Sequence, residues 1–157
     1  MVERATENED LITVQLNGSG RGWYSNWVNP GAAGPQNWET FHLDQVIPFV
    51  DTNLRTKADR ANRAVAGHSM GGFGAFHYAE HRPELFSHVG SFLGGLDMRN
   101  SEVRAAVTTT LVNPASGIPT VNADAVFGSP IWPFDGIWNA QSPAHHVEKL
   151  RGMGVAL

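Results

Sequence analysis

The chain has 157 residues, of which 41% are hydrophobic and 17% charged, with a formal net charge of −4. A chain of this length can bury a single core. The negative charge and the scattered basic residues exclude a general nucleic-acid binder, which needs clustered lysine and arginine. The absence of cysteine excludes disulfides, thiolate metal sites and a cysteine nucleophile.

Residues 1–10 are acidic and polar, and they predict a flexible N-terminal tail. They carry no apolar segment of the kind that a signal peptide requires. No apolar run approaches the ~18 residues of a membrane span. We therefore expect a cytoplasmic chain with no membrane partner, while secretion of a longer precursor stays open.

The first predicted elements are a strand and a helix. Leu11–Leu16 is short, β-branched and apolar, and it leads into a glycine-rich loop, which is typical of a strand end. From Trp38 to Asn53 the apolar residues recur at helical spacing. Pro48 lies inside this run and predicts a kink there.

The central part of the chain alternates between strands and helices. Arg63–Gly67 and Ser87–Leu93 are predicted strands, and the helices Met70–Glu80 and Glu102–Val112 follow them. This alternation is typical of a parallel sheet with helices on its faces.

The last part of the chain is less regular. Asn113–Asp135 is rich in proline, glycine and asparagine and predicts an irregular segment. Ser142 and Pro143 predict the start of a helix that runs to Arg151, and Val155–Leu157 predicts a fourth strand. The fold class is therefore α/β, a mostly parallel sheet of about four strands with flanking helices, in one domain over residues 11–157.

One motif in the sequence predicts a catalytic residue. Gly67-His68-Ser69-Met70-Gly71 matches the pattern G-x-S-x-G, with an apolar strand before it and a small-residue helix after it. A sharp strand-to-helix turn leaves room only for glycine on either side and lifts the serine hydroxyl clear of the sheet. Ser69 is the predicted nucleophile, and the backbone N–H of Met70 is the predicted oxyanion donor.

The residues around this motif resemble a known family. Gly67 to Ala75 and His81 to Phe86 are similar to the esterase D branch of α/β hydrolases, which includes S-formylglutathione hydrolases, tributyrin and feruloyl esterases, and mycolyltransferases. Further similar segments follow in the expected order: Gly22–Trp27, Trp38–Phe41, Gly94–Asp97 and Val126–Pro130. The resemblance implies a partial α/β-hydrolase fold that lacks the family's N- and C-terminal parts.

In relatives of this kind, the triad acid and histidine follow the segment that matches Val155–Leu157. Within this chain, Asp97 is the predicted acid, because it follows the strand after the nucleophile strand, a position from which some other α/β hydrolases draw their acid. Asp124 and Asp135 are weaker candidates, and the alternative for Asp97 is an aspartate that caps a turn or helix. His145 and His146 are the candidate bases, and we select His146. A serine needs such a base within hydrogen-bond reach.

Two other groups of residues are candidates for a functional role. Trp23, Tyr24, Trp27 and Trp138 are predicted to line a substrate pocket; the alternative is that the loop aromatics pin their loop to the core. His77 and His81 lie four residues apart on a helix, which is half of a metal site. The sequence offers no evident third ligand, so we expect no metal and assign them to the helix surface.

The sequence thus predicts a serine carboxylesterase that hydrolyses short-chain acyl or aryl esters through an acyl-enzyme on Ser69, without a cofactor. One alternative is an acyltransferase of the mycolyltransferase type. Another is a catalytically impaired remnant that acts as a binding or assembly module. A short parallel sheet leaves apolar edges exposed, so we also predict a homo-oligomer that associates through these edges.

Overall fold

The computed structural model describes residue 4, residues 6–114 and residues 117–157. The predicted N-terminal tail therefore lies partly outside the described residues, at positions 1–3 and 5. Within the described part of the chain, no helix is long and apolar enough to cross a bilayer.

A parallel sheet forms the centre of the fold. Its strands are β1 (Ala64–His68), β2 (His88–Phe92) and β3 (Gly154–Ala156), and they lie side by side in the order β1-β2-β3. Val65 is in register with Val89, which in turn is in register with Val155. Since parallel strands need crossover connections, a helix or a longer segment links each pair.

The helices surround this sheet. They are α1 (Trp38–Phe41), α2 (Ile47–Asn53), α3 (Met70–His81), α4 (Ser101–Val112) and α5 (Gly136–Ala140). The π-helical segment His42–Val46 joins α1 to α2. Short 3₁₀ turns are found at Gly31–Ala33, Arg60–Asn62, Pro143–His145 and Val147–Leu150.

The predicted kink at Pro48 takes the form of this π-helical segment. Pro48 stands in the first turn of α2, directly after the segment ends. Proline has no N–H to donate and its ring crowds the preceding turn, and a wider π turn accommodates both effects without breaking the helix.

Two predicted elements are wrong. Leu11–Leu16 forms no strand; it runs as unpaired coil beside the free edge of β1, because an apolar, β-branched sequence becomes a strand only where a partner ladder is available. The described sheet therefore has three strands. The predicted helix from Ser142 to Arg151 is only two 3₁₀ turns. Ser142 Oγ does not cap it, since this oxygen accepts the backbone N–H of Met98 at 2.9 Å.

Helix α3 separates two halves of the core. Residues 72–80 of this helix are all buried. On one side α3 packs in a cluster made of Trp23, Phe73, Met98, Val107, Leu111, Val126, Phe127 and Trp138. On the other side it packs in a cluster made of Leu43, Ala75, Phe76, Tyr78, Ala79, Phe86, Val89 and Leu150. Ser69, which follows β1, is consequently held between the sheet and a helix that is packed on both sides.

A half-buried arginine ties the irregular segment to α4. Arg104 donates to the carbonyls of Met98 and Pro130, and it forms an ion pair with Asp135 at 2.6 Å. The guanidinium also lies 5.8 Å from the centre of the Trp138 ring. These contacts hold residues 130–139 against α4.

Candidate active site

Ser69 occupies the turn between β1 and α3. Its φ of 53° and ψ of −119° lie in a region that L-residues rarely adopt, and its N–H donates to the carbonyl of Phe92 at 2.8 Å. The residue is solvent exposed. Its carbonyl accepts the N–H groups of Gly72 and Phe73, so α3 begins directly at Ser69. The hydroxyl therefore projects from a strained backbone at a helix N-terminus, where partial positive charge accumulates.

The two motif glycines have different steric roles. A Cβ on Gly67 would lie 2.1 Å from the carbonyl oxygen of Gly71, so only glycine fits at position 67. A Cβ on Gly71 would meet nothing closer than 3.8 Å, which is ordinary contact. The prediction that only glycine fits on both sides of the serine is wrong for Gly71. The next residue along the helix, Gly72, does lack room, since its Cβ would lie 2.5 Å from Ser91 Oγ.

Asp97 lies just after β2 and is paired with a histidine. His145 Nε2 is 3.1 Å from Asp97 Oδ1, and Ser142 Oγ is 3.3 Å from the same oxygen. The hydrogen bond from the N–H of Arg99 is the main cause that holds the pKa of Asp97 below its usual value; desolvation opposes it, and His145 and Ser142 lower the pKa further. The aspartate therefore stays ionised and orients the imidazole of His145.

The structure does not bring His146 to this aspartate. His146 Nε2 donates to the carbonyl of Ala140 at 3.0 Å, because His146 follows the short 3₁₀ turn and faces away from Asp97. Within the described residues, the Ser69 hydroxyl makes no hydrogen bond with any histidine. His145 rather than His146 is thus the neighbour of the predicted acid, a distinction that adjacent sequence positions could not reveal.

The predicted pocket aromatics lie mostly in the core. Trp23 and Trp138 are buried, and their ring N–H groups are bonded to Thr110 Oγ1 and to the carbonyl of Gly128. Trp27 packs partly buried against the same cluster, and its ring N–H donates to the carbonyl of Gly22. For Trp23 and Trp27 the structure therefore agrees with the alternative that these rings pin their loop to the core, and Trp138 is a core residue of α5.

Tyr24 alone of the four predicted pocket residues lines a large cavity. This cavity, of about 850 Å³, runs beside the free edge of β1 and is bounded by that strand and the coil segment Leu11–Leu16. Gly71 and Gly74 of α3 also line it, and the tyrosine ring lies against both glycines. The cavity adjoins the motif from the side of the sheet edge.

Sequence reasoning missed two apolar residues at the end of β2. Phe92 and Leu93 are exposed, Leu93 by 87%, and Leu93 has a positive φ of 56°. The carbonyl of Phe92 bonds Ser69, so both residues lie next to the nucleophile turn. No signal in the sequence distinguishes these two residues from others in strands, because an apolar pair before two glycines is typical of an ordinary strand end. Exposed apolar side chains on strained backbone are suited to contact with a ligand.

This arrangement defines the class of fold to which the chain belongs. A parallel sheet whose strand passes through a left-handed serine into a buried helix is the centre of an α/β-hydrolase fold. Solved structures share the fold. "MPT51 (FbpC1)" of Mycobacterium tuberculosis matches 85% of this chain and 45% of its own with a TM-score of 0.62 at 24% identity. The Staphylococcus aureus serine hydrolase FphF matches 81% of this chain and 42% of its own with a TM-score of 0.52 at 16% identity.

The chain belongs to the esterase family whose model is described as "Putative esterase" and which matches residues 3–155. It is 34% identical over 152 residues to "Esterase Rv1288" of M. tuberculosis, a match that covers 97% of this chain and 32% of that protein. It is 30% identical over 146 residues to the Mycobacterium leprae protein "Diacylglycerol acyltransferase/mycolyltransferase Ag85A", which covers 89% of this chain and 41% of that protein. The chain thus spans 32% of the length of the first of these relatives and 41% of the second.

Proposed function

We propose that this chain carries the nucleophile of an esterase, and that Ser69 forms an acyl-enzyme with carboxylic esters. Its exposed hydroxyl on a left-handed turn at the N-terminus of α3 is the observation that carries the proposal. Ser69 Oγ attacks the ester carbonyl, the C–O bond to the alcohol breaks, and the alcohol leaves with a proton. Water then hydrolyses the acyl–serine bond and releases the acid.

Electrostatic stabilisation of the oxyanion comes from the start of α3. The Met70 N–H belongs to the first helical turn and donates to no other backbone group among the described residues, and the helix dipole favours negative charge at this end. Because α3 is packed on both sides, these donors hold their position throughout the reaction and need no reorganisation.

For proton transfer we propose His145 together with Asp97, in place of the His146 that the sequence favoured. The N–H at Nε2 of His145 donates to Asp97, which leaves Nδ1 of the neutral ring free to accept a proton. The segment that contains His145 is also fixed near the carboxyl end of β2, because the Ala144 N–H donates to the carbonyl of Leu96. The carboxyl ends of parallel strands lie at the same end of the sheet, so Asp97 and Ser69 lie at that end as well.

The substrate class follows from the surface beside Ser69. Phe92 and Leu93 present exposed apolar groups there, next to the turn that carries Ser69. We therefore propose short-chain acyl or aryl esters, small neutral molecules whose acyl or aryl group packs on this surface. No cofactor is needed for this chemistry.

Covalent labelling with a fluorophosphonate tests the proposal. The wild-type chain should acquire one adduct on Ser69, and Ser69→Ala should acquire none, as read by peptide mass spectrometry. Ser101→Ala is the matched control, because Ser101 is an exposed serine at the start of another helix, α4, and should label like wild type. His145→Ala should slow labelling by about 100-fold or more, and His146→Ala by less than about threefold.

An adduct elsewhere in the chain, or equal labelling of Ser69→Ala and wild type, would contradict the assignment of the nucleophile. Equal labelling rates for His145→Ala and wild type would contradict the assignment of the base but leave Ser69 intact. A folded wild-type chain that does not label at all would support the reading of this segment as a binding module without turnover.

A second candidate reaction is acyl transfer to an alcohol. The 30% identity to a protein described as a diacylglycerol acyltransferase and mycolyltransferase favours it, and the same serine would form the acyl-enzyme. The two reactions differ only in the acceptor that attacks the acyl–serine bond. Product analysis with added alcohol separates them: a transferase yields mainly the new ester, and a hydrolase yields mainly the free acid.

We also propose that copies of the chain associate through the free edge of β1. This strand pairs only with β2 among the described residues, and its other side borders the 850 Å³ cavity. Leu11, Ile12 and Val14 along this cavity are exposed apolar residues. An open parallel edge with apolar surroundings favours addition of another chain.

A further inference from the structure

A second cluster of reactive side chains lies on α3, at the end opposite Ser69. His77 Nε2 is 3.0 Å from Glu39 Oε2, and His81 Nδ1 is 2.6 Å from Glu39 Oε1. Glu39 comes from α1, so the third donor that the sequence did not reveal is supplied by another helix. His77 and Ser69 are eight residues apart along the chain, which is about 12 Å of helix.

The three donors already converge. One ligand atom from each of Glu39, His77 and His81 lies within 4.8 Å of the other two. An ion bound at about 2.0–2.1 Å from each donor would hold them about 3.3 Å apart. The widest pair therefore closes by no more than about 1.5 Å, and the partly exposed side chains of Glu39 and His81 have the freedom to make that movement.

The surroundings differ from those of ordinary surface histidines. The His77 side chain is only 2% exposed, which contradicts its assignment to the helix surface. A cavity of about 360 Å³ adjoins the cluster and is lined by Glu39, Glu80 and His81 among others. Glu80 is buried there, and its Oε1 has no hydrogen-bond partner among the residues that the structure describes. A buried carboxyl oxygen without a hydrogen-bond partner is a polar atom whose burial a nearby cation would offset.

We propose that Glu39, His77 and His81 bind a divalent transition-metal ion of the Zn²⁺ class. Two imidazoles and one carboxylate, two of them spaced i and i+4 on one helix, are a donor set that suits zinc, and the open side of the cluster faces the cavity. The bound ion links α1 to α3 and stabilises the packing of the two helices. This site is separate from Ser69 and does not depend on the proposed esterase activity.

One neighbouring group opposes metal binding. Lys149 lines the same cavity and contributes a positive charge near His77 and Glu80. Replacing this ammonium with an apolar side chain removes the repulsion without altering a ligand. We therefore expect Lys149→Met to bind the metal more tightly than wild type.

The test is titration of the metal-free chain with ZnCl₂ by calorimetry, together with visible spectra after Co²⁺ loading. We expect one ion per chain, a dissociation constant of about 1 μM or lower, and a Tm raised by roughly 5–10 °C at a hundredfold excess of Zn²⁺ over that constant. His81→Ala and Glu39→Gln should each weaken binding by about 100-fold. His88→Ala is the matched control, because His88 is an exposed histidine on β2, and it should bind like wild type.

A folded wild-type chain that binds less than about a tenth of an equivalent of Zn²⁺ would overturn the proposal. Binding that survives in both His81→Ala and Glu39→Gln would overturn it as well. If those variants do not fold, imidazole NMR of the wild-type chain decides: Zn²⁺ should shift the ring signals of His77 and His81. Shifts confined to other histidines, such as His145 and His146, contradict the assignment.

Discussion

Gly67 and Gly71 flank the same serine, yet only Gly67 is required by close contact. The carbonyl of Gly71 occupies the space where a Cβ on Gly67 would lie, whereas Gly71 itself has room for one. The G-x-S-x-G pattern therefore combines one steric requirement with one position that has none. At this scale the pattern identifies the turn, and only the contacts of each atom reveal why a residue is there.

This difference predicts opposite effects for two equivalent substitutions. Gly67→Ala should destabilise the chain by about 3 kcal/mol or more and abolish labelling of Ser69, because backbone must move to admit the methyl group. Gly71→Ala should leave labelling intact and change stability by at most about 1 kcal/mol, in the stabilising direction, since alanine is the better helix former. Urea unfolding and labelling rates measure both, and equal damage from the two variants would contradict the steric argument.

At the scale of elements, the chain is organised by contacts between α3 and its neighbours. His42, in the π-helical segment between α1 and α2, is buried and its Nδ1 lies 2.7 Å from the hydroxyl of Tyr78 on α3. Burial lowers the pKa of His42 below 6.5, although a hydrogen bond with the backbone of Asn17 partly opposes this effect. The folded chain therefore keeps this ring neutral at a pH where the unfolded chain protonates it.

The consequence is a defined loss of stability in mild acid. The contribution of neutral His42 is fully present above the unfolded pKa of 6.5 and is lost as the pH falls below that value, because the unfolded state then binds a proton that the folded state does not. His42→Asn, which retains a group able to bond Tyr78, should flatten the dependence of unfolding free energy on pH below 6.5 by up to about 1.4 kcal/mol per pH unit. Urea unfolding at a series of pH values measures this slope.

His88→Asn is the control for this experiment, since His88 is exposed and its replacement should leave the slope unchanged. Identical slopes for wild type and His42→Asn would show that another buried group causes the loss of unfolding free energy in mild acid.

At the scale of the whole molecule, the sheet is open on the side of β1. A coil segment, Leu11–Leu16, covers part of this side without pairing, and the 850 Å³ cavity lies between them. A second chain that supplies a strand to β1 would satisfy its outward backbone groups and bury the apolar residues of the segment. The open edge therefore links the shape of the chain to its state of association.

This argument predicts association that depends on concentration. Sedimentation velocity of the wild-type chain should show a dimer or larger species that grows with protein concentration. The double substitution Ile12→Lys and Val14→Lys should shift the chain toward monomer by placing charges at the edge. Ile131→Lys is the matched control, because Ile131 is exposed on a different surface. A wild-type chain that stays monomeric, or equal effects of the two variants, contradicts the proposal.

Local features of the sequence were enough to predict much of this protein. The apolar runs around Val65 and Val89, the helix that begins at Met70, and the motif at Ser69 depend on residues that are neighbours along the chain. Their periodicity and their small side chains act over a few residues, so the class of fold and the position of the predicted nucleophile followed from them. The family match over residues 3–155 agrees with the predicted family, and the role of Ser69 stays a prediction.

Tertiary structure alone decided which distant groups meet. It brings His145, not His146, to Asp97, and it brings Glu39 of α1 into contact with His77 of α3. It also buries Trp138, which the sequence assigned to a pocket, and leaves Leu11–Leu16 unpaired. Each of these outcomes depends on contacts between residues far apart in sequence, where the direction of a side chain and the presence of a partner strand override local preference.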